Sequence, residues 1–170
     1  SDVYKRQTLV LPSSGSTADE VATLASESQV QFASATPSYW RWLLTSADLS
    51  AHKIPLRQIT LGGEVVDQST LDALHRTFPD SRLVHIYATS ELGRCFSVTD
   101  GKAGFPRSFL GQPSEDGIEM KIEDNELIVR SANAMSRYDR SHAASPRQEW
   151  FPTGDLVKQA DDRVYFVGRR

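Results

Sequence analysis

Three short apolar runs, VQFAS at 30–34, RQITLGG at 57–63 and RLVHIY at 82–87, are separated by segments with helical periodicity. This alternation constrains the chain more than any other feature. Parallel strands need a crossover between them, usually a helix, so the pattern predicts βα units around a mostly parallel sheet. The helix starts are signed. Thr17 and Glu20 form a capping box ahead of Val21, Leu24 and Ala25. Thr36 precedes Pro37, an N-cap with proline at the first helical position, and Tyr39 and Trp42–Leu43 follow at helical spacing. Asp67 caps a stripe of Leu71, Leu74 and Phe78. TLVLP at 8–12 predicts one more strand, before the first helix.

The rhythm changes near residue 100, where GKAGFPRSFLGQP is rich in glycine and proline. IEMKIEDNELIVRS then predicts a hairpin, two alternating strands joined by the acidic turn Glu123–Asp124–Asn125. RVYFVG at 163–168 predicts another strand, and 139–149 reads as an exposed loop. The expected organisation is an α/β unit over 8–103, with βα layers on a mostly parallel sheet. A small, mostly β, distorted barrel-like unit follows over 104–170. Residues 1–7 are set aside, because DVYKRQ is the translation of the end of a common sequencing-library adapter.

Composition narrows the function classes. The chain has 170 residues, 39% hydrophobic and 24% charged, as in ordinary soluble proteins. Its formal net charge is −3 and it has no Lys/Arg cluster, which argues against nucleic acid and anionic membrane surfaces as partners. No apolar run is long enough to span a bilayer. Cys95 is the only cysteine, which excludes an internal disulfide and a cysteine-based metal site and fits a cytoplasmic protein. The four histidines, at 52, 75, 85 and 142, lack metal-ligand spacing. PSSGSTADE at 12–20 looks like a phosphate loop only superficially. Asp19 and Glu20 would repel a triphosphate, so a loop and a capping box explain it better.

Four places could carry chemistry, and each has a plainer explanation. Gly62 and Gly63, after a strand, could let a flat ligand lie on bare backbone, or simply form a tight turn. In YATSE at 87–91, Tyr87 could stack on a ring, Ser90 could contact a phosphate oxygen and Glu91 could hold Mg²⁺. Equally, a buried tyrosine could precede a helix start with an acidic first turn. WFPTGDLV at 150–157 could present Asp155 to a vicinal diol from a rigid Thr-Gly-Asp turn, or be only a turn. Gly168-Arg169 could clamp a ribose or phosphate, or be a solvated strand end.

Taken together and in order, these stretches resemble the adenylate-forming superfamily of acyl-CoA synthetases, peptide-synthetase adenylation domains and luciferases. GGE at 62–64 looks like the family's GGE/GGA loop, and YATSE like its YGxTE motif. ELIVRS…MSRY at 126–138 looks like its GEL…GY segment, WFPTGDLV like its TGDL motif, and FVGRR like its GRxD motif. The resemblance covers nearly everything after Thr8. It implies that Gly62, Gly63 and Tyr87 flank adenine, with Glu64 completing the GGE turn. His85, two residues before Tyr87, would face the adenine amino group. Ser90 and Glu91 would contact the α-phosphate and Mg²⁺ as catalytic residues, and Asp155 and Arg169 would bind the ribose. Ser34, Pro37 and Trp40 would belong to the acyl pocket. Two departures stand out: Ala88 replaces the usual glycine, which is expected to restrict the turn, and Arg137 replaces the glycine of GY.

The implied activity is ATP-dependent activation of a carboxylic acid to an acyl-adenylate with release of pyrophosphate. Transfer to a thiol would follow, with coenzyme A as cosubstrate. The corner SATPSYW at 34–40 lacks the aspartate that amino-acid-activating relatives usually carry, which favours a plain carboxylic acid. The alternatives are an adenylation domain of a peptide or polyketide synthetase, whose thiol sits on a carrier protein, and a non-catalytic nucleotide-binding remnant. The family's lysine-bearing phosphate loop and its mobile C-terminal domain have no counterpart in these residues. The expectation is therefore a fragment of the large N-terminal domain, inactive by itself.

Overall fold

The computed structural model describes residues 7–131 and 150–170. In chain order the elements are α1 (Ala18–Glu27), β1 (Phe32–Ala35), α2 (Pro37–Ser46), β2 (Gln58–Leu61), α3 (Gln68–Thr77), β3 (Arg82–Thr89) and β4 (Gly93–Val98), followed by β5 (Phe105–Pro106), β6 (Ile118–Glu123), β7 (Glu126–Ser131), β8 (Phe151–Ala160) and β9 (Arg163–Arg169). The first four strands form one sheet in the order β1-β2-β3-β4. Within it β1, β2 and β3 are parallel and β4 is antiparallel. The last five form a curled antiparallel sheet in the order β5-β9-β8-β7-β6. The architecture is the expected mixed α/β one.

The helices form where the capping chemistry places them. Thr17 and Glu20 complete the capping box of α1. The Thr36 side chain accepts from Tyr39 N at the start of α2. Asp67 Oδ1 accepts from Thr70 N at the start of α3. Leu71 and Leu74 of α3 and Trp40 and Leu43 of α2 pack on Ile59, Leu61 and Leu83 of the parallel strands. A second core belongs to both sheets: Phe96 and Val98 of β4 pack with Phe105, Leu127, Val129, Val157 and Val164.

Four local expectations need correction. Residues 8–12 form no strand. Leu9 and Leu11 are 79% and 72% exposed, because no described strand pairs with them. Residues 90–92 are not a helix start but the turn of the β3–β4 hairpin. The TGD stretch is not a turn between segments; it lies inside β8, as a bulge. The β6–β7 turn is the residue pair Asp124–Asn125, both at positive φ (48° and 62°), as a type I′ hairpin turn requires, and Glu123 ends β6. Ala88 lies in β3 outside the positive-φ region, so the absence of glycine costs nothing there. The 139–149 loop, MSRY and Arg137 lie outside the described residues.

One glycine joins the sheets. Gly104 has φ +69°, and a Cβ there would sit 2.3 Å from Val164 O in β9. Gly104→Ala is expected to cost about 2 kcal/mol or more, from strain and overlap together, read as a lower urea midpoint of the intact protein. An unchanged midpoint would contradict this packing. Asp67 offers a pH-dependent test. Burial pushes its carboxyl up, but hydrogen bonds from Ser69 and Thr70 and the charge of Arg41 outweigh that and hold it at about 2. Its capping contribution is present above its ordinary value of 3.8 and lost as pH falls towards about 2. Asp67→Ala should therefore cost about 1 kcal/mol at neutral pH, and the gap to the parent should close in acid.

Candidate functional site

One cavity of about 890 Å³ opens where the two sheets meet. The β2 end forms one wall. Gly62 N donates to Ala35 O at 3.4 Å, and a Cβ on Gly62 would lie 2.8 Å from Ile86 Cγ1, so only glycine lets this strand end pass β3 so closely. Gly63 and Glu64 line the cavity. Glu64 Oε2 accepts from Ser38 N (2.9 Å) and Ser38 Oγ (2.6 Å), which ties the turn to the first turn of α2. The Ser38 hydroxyl is the main reason its carboxyl is held below the ordinary range.

The end of β3 forms the back. His85 is buried, and its Nε2 lies 3.1 Å from Lys102 O. Burial is the main force lowering its basicity. The Tyr87 ring stacks on Phe96 (5.3 Å between centroids) and on Phe166 (4.9 Å). Its hydroxyl donates to Asp155 Oδ2 at 2.5 Å, across the junction of the sheets. Burial, then the Asp155 carboxylate, drives the Tyr87 hydroxyl well above its ordinary range, so it stays a donor. Ser90 and Glu91, on the hairpin turn, line the same cavity.

The third wall is the bulge in β8. Ile128 pairs with Pro152 and Glu126 with Leu156, so Thr153, Gly154 and Asp155 face a single residue, Leu127. The loop this creates is braced. Thr153 Oγ1 donates to Leu127 O (2.8 Å), Asp155 N donates to Thr153 Oγ1 (3.1 Å), and Gly154 N donates to Glu126 Oε1 (2.8 Å). Asp155 is thus aimed by its backbone as well as by Tyr87. Arg169 Nε stands 3.8 Å from Asp155 Oδ1, on a side chain that is 74% exposed.

The cavity therefore gathers Gly63, Glu64, His85, Tyr87, Ser90 and Glu91 with Asp155 and Arg169. Gly62 supports it from behind. Ser34, Pro37 and Trp40 do not line it. Pro37 is buried in the first turn of α2, and Trp40 is 3% exposed in the helix-side core, its indole N–H donating to Thr60 O at 3.3 Å. Sequence reasoning missed Glu126, whose buried carboxylate braces the bulge, and Arg163 and Gln68, which hold the segment between the sheets. It also missed Lys158, a cavity-lining cation on β8. The GEL-like stretch ELIVRS, which begins with Glu126, is the signal that could have marked that residue.

Four acids, Glu64, Asp67, Glu91 and Asp155, face two bases, Lys158 and Arg169, in this cavity. Arg41, just outside the lining, pairs with Asp67 (2.8 Å) and Glu64 (3.8 Å) and offsets two of these acids. Among the described residues no group of three or more His, Cys, Asp or Glu side chains could hold a metal ion by itself. Mg²⁺ fits under that restriction, since it needs only one or two carboxylates when substrate phosphates complete its shell.

Comparisons with known proteins agree with this geometry. The family model described as AMP-binding enzyme matches residues 3–138. Tenellin synthetase of Beauveria bassiana is 26% identical over 142 residues, which is 81% of this chain and 3% of that protein. A benzoate CoA ligase from Burkholderia xenovorans LB400 superposes with a TM-score of 0.72 at 19% identity, covering 91% of this chain and 34% of its own. An anthranilate CoA ligase in complex with anthranoyl-AMP gives 0.71 at 21% identity, covering 89% and 32%. The chain thus spans about a third of the length of these two solved structures. The structural likeness carries the fold, and the family match carries the membership: this chain belongs to the AMP-binding enzymes of the adenylate-forming superfamily.

Proposed function

We propose that the protein carrying this chain activates a carboxylic acid with ATP. The observation that carries the reading is the Tyr87–Asp155 hydrogen bond, which sets a rigid carboxylate beside Arg169, His85 and Glu91 in one cavity between two sheets. Asp155 accepts from the ribose hydroxyls, with Arg169 beside it. Gly62, Gly63 and Tyr87 flank the base, and Glu64 holds the turn against α2. Ser90 donates to the α-phosphate. The carboxylate oxygen of the substrate forms a bond to the α-phosphorus as the bond from that phosphorus to the bridging β-oxygen breaks, releasing pyrophosphate. Glu91 would hold Mg²⁺, which supplies charge neutralisation on the phosphate oxygens. In the second half-reaction a thiol sulfur bonds to the acyl carbon, the thiol proton leaves and AMP departs.

Coenzyme A is the proposed thiol, as for a free-standing acyl-CoA synthetase, and Ser34, Pro37 and Trp40 remain the proposed neighbourhood of the acyl group. The likeness to tenellin synthetase supports a second reading, an adenylation unit that passes its acyl group to a carrier-protein thiol. A pyrophosphate-release panel of aryl, fatty and amino acids on the intact protein, followed by thiol acceptors of both kinds, separates the two. No acid-dependent pyrophosphate release would sink both.

Calorimetry with ATP tests the ribose assignment. Asp155→Ala should weaken binding by about 1–3 kcal/mol, the cost of losing charged hydrogen bonds. Tyr87→Phe removes only the hydroxyl that aims this carboxylate, and should cost about 1 kcal/mol. Unchanged affinity in Asp155→Ala would remove Asp155 from the site.

A further inference from the structure

The segment that joins the two sheets is held by one guanidinium. Arg163, at the start of β9, is 6% exposed. Its Nε donates to Ala103 O (2.8 Å), and its Nη2 donates to Lys102 O and Gly104 O (3.0 Å each). Its Nη1 donates to Asp100 Oδ2 at 2.6 Å. Three successive carbonyls and a carboxylate thus converge on one planar, pre-organised fork. Gln68 of α3 grips the segment from the other side, accepting from Ala103 N (2.9 Å) and donating to Gly101 O (3.0 Å). The cavity wall built by Ala103 and Gly104 is fixed from both sheets and a helix.

This bears on His85 through a shared acceptor. Lys102 O lies 3.0 Å from Arg163 Nη2 and 3.1 Å from His85 Nε2. A carbonyl only accepts, so His85 Nε2 carries the proton at this contact. Burial, more than any other influence, lowers the basicity of the ring and favours its neutral form. A neutral ring protonated on Nε2 has Nδ1 as an acceptor, and His85 lines the cavity.

We propose that Arg163 is a specificity-determining positioning residue: by fixing the Lys102 carbonyl it holds His85 as the Nε2–H tautomer, so that His85 offers an acceptor to the amino group of a 6-aminopurine and refuses a 6-oxopurine. Adenine presents a donor at that position, whereas guanine and hypoxanthine present an acceptor. The inference rests on the nucleotide reading of the cavity given above. It adds a residue outside the cavity lining that sets the choice of base through the Lys102 carbonyl.

Two measurements on the intact protein test it. Ring nitrogen shifts of labelled histidines report the His85 tautomer without any ligand, with His85→Gln assigning the signal. Calorimetry with ATP and with inosine triphosphate reports base choice. The expected results are an Nε2–H ring and a preference for ATP of about tenfold or more. Arg163→Lys keeps the charge but loses the fork, and should mix the tautomers and shrink that preference by about threefold or more. Asp100→Asn, a milder change to the same fork, should shift both in the same direction and serves where Arg163→Lys does not fold. An Nδ1–H ring in the parent overturns the proposal with no variant needed. So does an unchanged ATP preference in Arg163→Lys with both affinities lowered alike, the mark of a purely structural role. If neither nucleotide binds while the ring is Nε2-protonated, the nucleotide reading itself has failed and base selectivity falls with it.

Discussion

Tyr87 is the hinge pin of this structure. Its ring packs on Phe96 from its own sheet and on Phe166 from the other, and its hydroxyl reaches Asp155 in the second sheet. Phe96 and Phe166 in turn touch Phe105. Aromatic pairs of this kind contribute about 0.5–1.5 kcal/mol each beyond the area they bury. The hydrogen bond at the rim and the aromatic core beneath it are therefore one construction. Without that contact the junction would lose the bond that aims Asp155 into the cavity.

The cavity is built largely from irregularities in regular strands. Tyr87 pairs with Phe96 and Ala88 with Arg94, so β4 carries an extra residue, Cys95, beside the hairpin that holds Ser90 and Glu91. The three residues at 153–155 opposite Leu127 push Asp155 out of the β7–β8 ladder, while it stays paired with Arg169 of β9. Leu156 pairs with Gly168 and Val157 with Phe166, leaving Val167 extra in β9 just before Arg169. Each bulge re-aims a side chain that an unbroken strand would have pointed elsewhere. Glu126 shows what such a bulge requires. Its carboxylate accepts from Gly154 N and pairs with Arg170 at 2.9 Å, so the backbone group freed from the ladder is not left unsatisfied.

Legibility in the sequence follows the range of the interaction. Local chemistry was readable: the caps at Thr17, Thr36 and Asp67 begin helices, and the period-two run from Ile118 to Ser131 forms a hairpin. Contacts between distant residues were not. TGD looks like a turn because glycine and aspartate favour turns, yet the strands on either side override that preference and absorb it as a bulge. TLVLP carries the side chains of a strand, but a strand exists only with a partner, and none of the described residues pairs with it. The site residues were findable as motifs, whereas the residues that aim them, such as Glu126, Gln68 and Arg163, act through backbone groups 28, 35 and 60 positions away. No spacing rule announces those.

Placing the cavity at the junction couples ligand binding to the integrity of the fold. A ligand gripped by Gly63 and His85 on one sheet and by Asp155 and Arg169 on the other binds only when the sheets are docked. Any such ligand stabilises the docked state by mass action, by about 2.7 kcal/mol at a hundredfold excess over its dissociation constant. The same logic explains why the supporting contacts surround the cavity. The Arg163 fork, the Gln68 bridge and the Tyr87–Asp155 bond all cross between elements that the ligand would otherwise have to bring together. Paying that ordering cost in the folded chain leaves more of the binding energy for the ligand. It also places the cost of weakening any one of the three contacts on binding as well as on stability.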